Sequence, residues 1–395
     1  MPLARARLAV FRPPEAEVKP LFAAAGGLSD RLWRVDADAR WCGVARNVDV
    51  CSVMVRRHAE GSELLIDRTV ERAVATALSR EGFDDVERVG SFANGRVDTW
   101  PEGWAVLSDK QALNPLVLNG VAAQLALLHR QTLTVPGLSF RTQTDLSTVK
   151  PVLWKNLRRL LKLTKSVAFP EGIGGRAGLL RRIGLSGMKA AIDRLENRWN
   201  NLARTGSSSS GESSKVQAVR FSHNNLDAGS RSIMIRSDMR QTDADWPRVT
   251  LSEFAHADYN FRASDIAEFF NSLAGPGCDW EKVPSGPVQQ AWIARCLASS
   301  AERNAAYTMA AAEMLYKEVQ LLGLVSHLSR CLLGVLNAAA TDQRQSEAAE
   351  DGPISGSGAD FDWLVYASQR RERFRVERPR VFARLAGKKP KHEDL

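Results

Sequence analysis

Alternation of apolar and polar residues dominates the first hundred positions of the chain. Residues 26–35 place the glycine turn Gly26-Gly27 before an alternating stretch, and Val48 to Val55 reads as a second, buried strand. Leu64, Leu65, Val70, Val74, Ala77 and Leu78 then fall at helical spacing over 64–80, with Asp67 and Glu71 near the front, where the helix dipole favours acids. Residues 86–100 alternate again around Asn94-Gly95, a strong hairpin signal. The order strand, strand, helix, hairpin predicts an antiparallel sheet with one packed helix.

Beyond about residue 105 the period changes from two to 3.6. Leu116, Val117, Val121, Leu125 and Leu128 mark a helical stripe, and helical patterns recur at 186–204, 263–274, 286–323 and 325–339. Two segments interrupt them: 205–214, centred on a run of serines, and 341–359, rich in Ser, Gly, Glu and Gln. Both read as mobile surface insertions. Charge runs from Arg370 to Lys391 read as a solvated face, ending in a basic tail at 385–395.

Composition narrows the classes. A chain of 395 residues is too long for one small module, and 44% hydrophobic residues can bury a core. Lys and Arg (54) exceed Asp and Glu (45), giving a formal charge of +9 that suits nucleotide, phosphate, nucleic-acid or anionic-membrane partners. No aromatic-interleaved basic motif supports nucleic acid, so that partner is set aside. Five cysteines, odd in number and without a CxxC pair, argue against a disulfide framework or zinc site and fit a cytoplasmic location. No apolar run is read as long enough to span a bilayer, so no transmembrane segment is expected. The opening lacks the apolar core of a secretory signal, and Glu15 and Glu17 weigh against a mitochondrial presequence.

The sharpest local signal runs from Val219 through His223-Asn224-Asn225-Leu226-Asp227 to Ser230, followed by Leu251-Ser252-Glu253-Phe254 and by Tyr259-Asn260-Phe261-Arg262 with Asp265-Ile266-Ala267. This series resembles the catalytic loop and metal-binding segment of choline and ethanolamine kinases. Gly26-Gly27-Leu28-Ser29, Val53 to Arg56, Glu63 to Glu71, Phe92 to Arg96, Leu127 to His129, Ser326-His327 and Phe361 to Arg370 extend the likeness in order along almost the whole chain. The resemblance implies an α+β, two-lobed protein-kinase-like fold: a small antiparallel-sheet, nucleotide-binding lobe at 20–104 and a large, mostly helical lobe at 105–384, with the catalytic-loop region at 219–270. The reaction it implies is ATP-dependent, Mg²⁺-assisted phosphorylation of an amino alcohol in phospholipid synthesis.

Residue by residue, the resemblance places Gly26, Gly27, Ser29, Arg56 and Glu71 at the nucleotide. Arg56 stands where a kinase cation holds phosphates and Glu71 where an acid orients it. His223 and Asp265 stand in the loop scaffold, and His129 reads as a satisfied core histidine. The base position holds Asn225, an amide unable to take a proton at neutral pH. The metal positions hold Ser230 and Glu253 in place of Asn and Asp, and the acid expected two residues on is Ala255. Around the acceptor, Tyr259, Ser272, Arg330 and Leu333 occupy the family's pocket, with Arg330 and Leu333 in place of two tryptophans. An arginine there repels a cationic ligand. Substitution of base, metal ligands and pocket together points to a choline/ethanolamine-kinase-like protein that is catalytically impaired or a pseudokinase, with weakened Mg²⁺ binding and a protein partner or homodimer in prospect. The alternative is an active ethanolamine or choline kinase in which Asp227, Asp258 or a water accepts the proton.

Overall fold

The computed structural model describes residues 17–20, 30–36, 43–45, 48–50, 52–83, 86, 88–139, 149–167, 169, 176–206, 218–228, 230–240, 247–299, 309–351 and 361–387. Gly26, Gly27 and Ser29, most of the 205–214 segment, residues 352–359 and 388–395 lie outside them.

Strands β1 (Glu17–Pro20), β2 (Arg31–Asp36), β3 (Gly43–Ala45), β4 (Val48–Val50) and β5 (Ser52–Arg57) precede helix α1 (Arg68–Arg80), and the hairpin β6 (Arg88–Phe92) and β7 (Gly95–Thr99) follows it. The main sheet is antiparallel in the order β1-β2-β5-β7-β6, and among the described residues β3 pairs only with β4. Asp67 caps α1 by accepting from the Thr69 and Val70 amides, so the helix starts at Arg68 rather than at 64 as the apolar spacing predicts. The helix buries Glu71, Val74 and Leu78 on one stripe. In the hairpin, Ala93 and Asn94 make the turn, and a Cβ on Gly95 would stand 2.2 Å from the Arg56 carbonyl, so only glycine lets β5 and β7 close there.

Strand β8 (Trp104–Val106) leads to α2 (Asp109–Ala112), α3 (Pro115–Leu128), α4 (Leu153–Ser166), α5 (Arg176–Ile183) and α6 (Met188–Gly206). The catalytic-loop region is made of β9 (Val219–Ser222), β10 (Ile233–Arg236), β11 (Val249–Leu251) and β12 (Asp258–Phe261), then α7 (Arg262–Ser272). Strand β12 pairs with β9, and β10 lies between β11 and β8. These short ribbons pin both ends of two loops, 223–232 and 252–257.

Helices α8 (Gly286–Ser299), α9 (Met309–Asp351) and α10 (Trp363–Leu385) complete the chain. Helix α9 runs unbroken where the apolar pattern suggested two helices meeting near 324, and it continues as helix through 341–351, part of the segment read as an insertion. The Asn271 amide of α7 donates to the Gly323 carbonyl inside it, and a Cβ at Gly323 would stand an ordinary 3.8 Å from that amide, so the position does not require glycine. Residues Ala310–Gln343 are long and apolar enough to cross a bilayer, contrary to the sequence expectation, but most of that stretch is buried among α4, α6, α7, α8 and α10. A helix apolar all round is what such a central position requires.

The charged run of α10 also departs from a solvated face. Arg370 and Arg371 are buried, donating to the Asn271 and Ile183 carbonyls, and Arg370 lies over the Trp280 and Tyr366 rings.

Candidate functional site

Asp265, fully buried in the first turn of α7, is the anchor of the 223–232 loop. Its carboxylate accepts from the His223 and Asn224 amides, both at 2.8 Å, and lies 3.1 Å from His129 Nε2. His223 reaches the Ser252 carbonyl through Nε2 at 2.8 Å, so its proton sits on that nitrogen and ties the two loops together. Asn224 adopts φ 62, a left-handed conformation that asparagine tolerates better than most residues. Its Nδ2 donates to the His256 and Asp258 carbonyls and its Oδ1 accepts from Asn260.

With Asn224 so held, the next residue turns toward a cavity of ≈ 90 Å³ walled by Asn225, Asn260, Ser264, Glu268, Arg330 and Leu333 among others. Asn225 makes no hydrogen bond with the described residues and is left to face that space. Two residues expected here are elsewhere. Tyr259 is fully buried, its hydroxyl bonded to both the Leu133 amide and carbonyl, and Ser272 accepts from the Ala228 amide behind the loop. Alternation along β12 turns Tyr259 to the core and Asn260 to the cavity. Asp258 also misses the cavity, because Ser139 claims both of its carboxylate oxygens.

A second assembly spans the two lobes. Glu253, at φ 66, extends its carboxylate between two buried arginines: it pairs with Arg56 from β5 and, at 3.1 Å, with Arg231. Arg231 also contacts Met54 Sδ and lies 5.6 Å over the Trp100 ring. Asp30 holds Arg56 at 3.1 Å and Arg68 at 2.8 Å. Glu71 pairs with Arg68 at 2.9 Å and Arg96 at 2.7 Å, so the acid expected to orient Arg56 acts on it only through space, and Asp30 and Glu253 take the direct contacts. Burial alone would raise the Glu253 carboxyl, but the Arg56 and Arg231 charges hold it well below the usual range. Burial would likewise lower Arg56, and the surrounding carboxylates raise it instead.

A divalent cation would need this carboxylate and the Ser230 hydroxyl. Both oxygens of Glu253 face guanidinium groups, and Ser230 Oγ is bonded to the Asp227 carbonyl and to Ser232 Oγ. As arranged, the set does not fit Mg²⁺, which demands oxygen ligands at near-ideal octahedral distances.

Burial lowers the imidazoles of His129, His223 and His327, and with the nearby charges of Arg330 and His223 it brings His256 down to about 4 from 6.5. The unfolded chain takes up these protons first, so stability is complete above 6.5 and falls as pH drops toward 4. Urea unfolding at pH 7.5 and pH 5 should show a loss on the order of 1–3 kcal/mol from His256 alone. Unchanged stability across this interval would mean these rings are not held neutral.

The sequence therefore located His223, Asn225, Asp265, Arg56, Glu71, Ser230, Glu253, Arg330 and Leu333 at or beside these two assemblies. It missed Asp30, Arg68, Arg96, Arg231 and Glu268. Ser264 and Glu268 stand at i and i+4 on α7, a spacing that puts both on the cavity face. Arg231, two residues before the apolar run Ile233–Ile235, is the other signal that could have been read.

The family model for choline/ethanolamine kinase matches residues 22–375. The chain is 24% identical to a probable choline kinase 2 of Arabidopsis thaliana, over 91% of this chain and 85% of that protein. It is 26% identical to ethanolamine kinase 2 of Mus musculus, over 87% and 74%. In structure it is similar to an ethanolamine kinase of Plasmodium vivax (TM-score 0.67, 18% identity, covering 94% of this chain and 87% of the other). It is also similar to a choline kinase of Cryptosporidium parvum (TM-score 0.61, 18% identity, 95% and 92%). At these identities the structural likeness speaks for the protein-kinase-like, α+β fold.

Proposed function

The chain belongs to the choline/ethanolamine kinase family, and from that premise we propose that it is a nucleotide-binding member impaired in phosphorylating choline or ethanolamine. The observation that carries this reading is the seating of Glu253 between Arg56 and Arg231. Phosphoryl transfer is almost entirely positioning and charge neutralisation, so a carboxylate consumed by arginines is lost to metal binding. Asn225 adds a second deficit, since an amide at the base position accepts a hydrogen bond but no proton. We place the protein in the cytoplasm on its cysteine usage.

Arg56, Arg96 and Arg231 are the cations for ATP phosphates, already paired with Glu253, Asp30, Glu71 and Asp98, so phosphates would share them with these carboxylates, and that sharing needs no metal. ATP is therefore expected to bind with an affinity that changes less than about threefold when Mg²⁺ is replaced by EDTA, a difference of roughly 0.7 kcal/mol. Isothermal titration calorimetry in the two buffers makes the comparison. Tight binding that disappears with the metal would overturn the reading.

A further inference from the structure

The described residues lining the cavity beside Asn225 carry one acid and one base, Glu268 and Arg330, and these face each other. Arg330 Nε donates to the Glu268 carboxylate, while Nη2 lies 3.6 Å from Asp227 and, though buried, has no hydrogen bond with the described residues. Both side chains are largely shielded from water, with 15% of Arg330 and 13% of Glu268 exposed. The rest of the wall is neutral: the amides of Asn156, Asn225 and Asn260, serine hydroxyls and aliphatic side chains. Among the described residues no aromatic face lines it.

A primary or quaternary ammonium entering this space needs an anion to replace its lost hydration. Glu268 is the lining carboxylate that could provide one, and a guanidinium already rests on it. We propose that Arg330 is a resident cation: its guanidinium occupies the ammonium position of the acceptor cavity, excludes free amino alcohols, and leaves behind a cation site when it is removed. This rests on the reading of the Asn225 cavity as the acceptor side of a family kinase, but it concerns binding alone and stands apart from turnover.

The test is ligand-dependent thermal unfolding of the full chain without nucleotide, using choline chloride and ethanolamine hydrochloride at millimolar concentration against equal sodium chloride. Wild type and Arg330→Lys should show no shift beyond the salt control, because both retain a cation. Arg330→Ala should unfold at lower temperature than wild type and regain roughly 2–4 °C with either amino alcohol, as a ligand bound only by the folded state must give. Its affinity for choline should exceed wild type by at least ~10-fold. Arg330→Gln, which keeps a hydrogen bond to Glu268 while losing the charge, carries the same expectation and decides the matter if the alanine variant does not fold. The double variant Glu268→Gln/Arg330→Ala should fold and lose the response, which assigns the site to the carboxylate. Wild type binding choline as tightly as Arg330→Ala would overturn the proposal, and so would a folded Arg330→Gln that ignores both ligands. Either result leaves the metal-site reading to be judged by its own calorimetry.

Discussion

Glu253→Gln is expected to destabilise the protein by about 3–5 kcal/mol, the range for removing one partner of a buried ion pair. The reason is geometric. Arg56 and Arg231 are 3% and 2% exposed and converge on one carboxylate, so an amide in its place leaves two buried guanidinium groups repelling each other. Asp30 still holds Arg56, whereas among the described residues the Arg231 guanidinium keeps Met54 and the Trp100 ring. A metal-binding acid would behave in the opposite way, because its removal relieves charge repulsion in the empty site. Urea unfolding of wild type and variant separates the two roles: a ΔΔG near zero or of stabilising sign would contradict the ion-pair account. The same geometry makes Glu253→Asp harmful, since a chain one methylene shorter cannot reach both arginines.

In a chain that also carries Arg330→Gln, so that the amino alcohol can enter the acceptor cavity, restoring turnover should require four changes, and the gain should be large. Asn225→Asp supplies a proton acceptor facing the acceptor cavity, and a general base contributes typically ~10²–10⁴-fold. Alone it should give little, because the metal carboxylate remains occupied. Ser230→Asn and Glu253→Asp rebuild the oxygen ligands, but only Arg231→Ile frees the carboxylate from its second guanidinium. Groups that act as a unit are non-additive, so the quadruple variant should exceed the product of the single effects. Single-turnover assays with Mg²⁺ and ATP across the four singles and the combination test this. Recovery of full activity by Asn225→Asp alone would show that the metal site was never lost.

How much of this could be read beforehand depended on the range of each interaction. The period-two run at 86–100 and the stripe ending at Leu78 specify local structure, and the hairpin β6–β7 and α1 follow them, with Asp67 rather than the first leucines fixing the helix start. The catalytic loop was legible because Asn224, Asn225 and Asp265 stand in one ordered motif. The partner of Glu253 was not, since Arg56 approaches it from β5, 197 residues away, and Arg231 from the 223–232 loop. Nothing in local spacing signals that Glu71 turns to Arg96 instead of Arg56. Tyr259 went astray for a related reason: motif order identifies a residue's place in the chain, but strand alternation decides which side of β12 faces the cavity, and Ser272, at the end of α7, is turned instead to the Ala228 amide. The continuity of α9 was hidden by Gly323, a weak helix former carried here by a helix whose residues Leu321, Leu322, Leu324 and Val325 are buried on either side of it.

The most direct measurement is steady-state phosphorylation of choline and of ethanolamine by the wild-type protein at saturating Mg²⁺ and ATP. With an amide at the base position and Glu253 bound by two arginines, kcat should fall at least ~10²-fold below the ~1–10³ s⁻¹ of ordinary enzymes on both acceptors. Turnover of either amino alcohol within that ordinary range would contradict the account, whatever the stability of the variants.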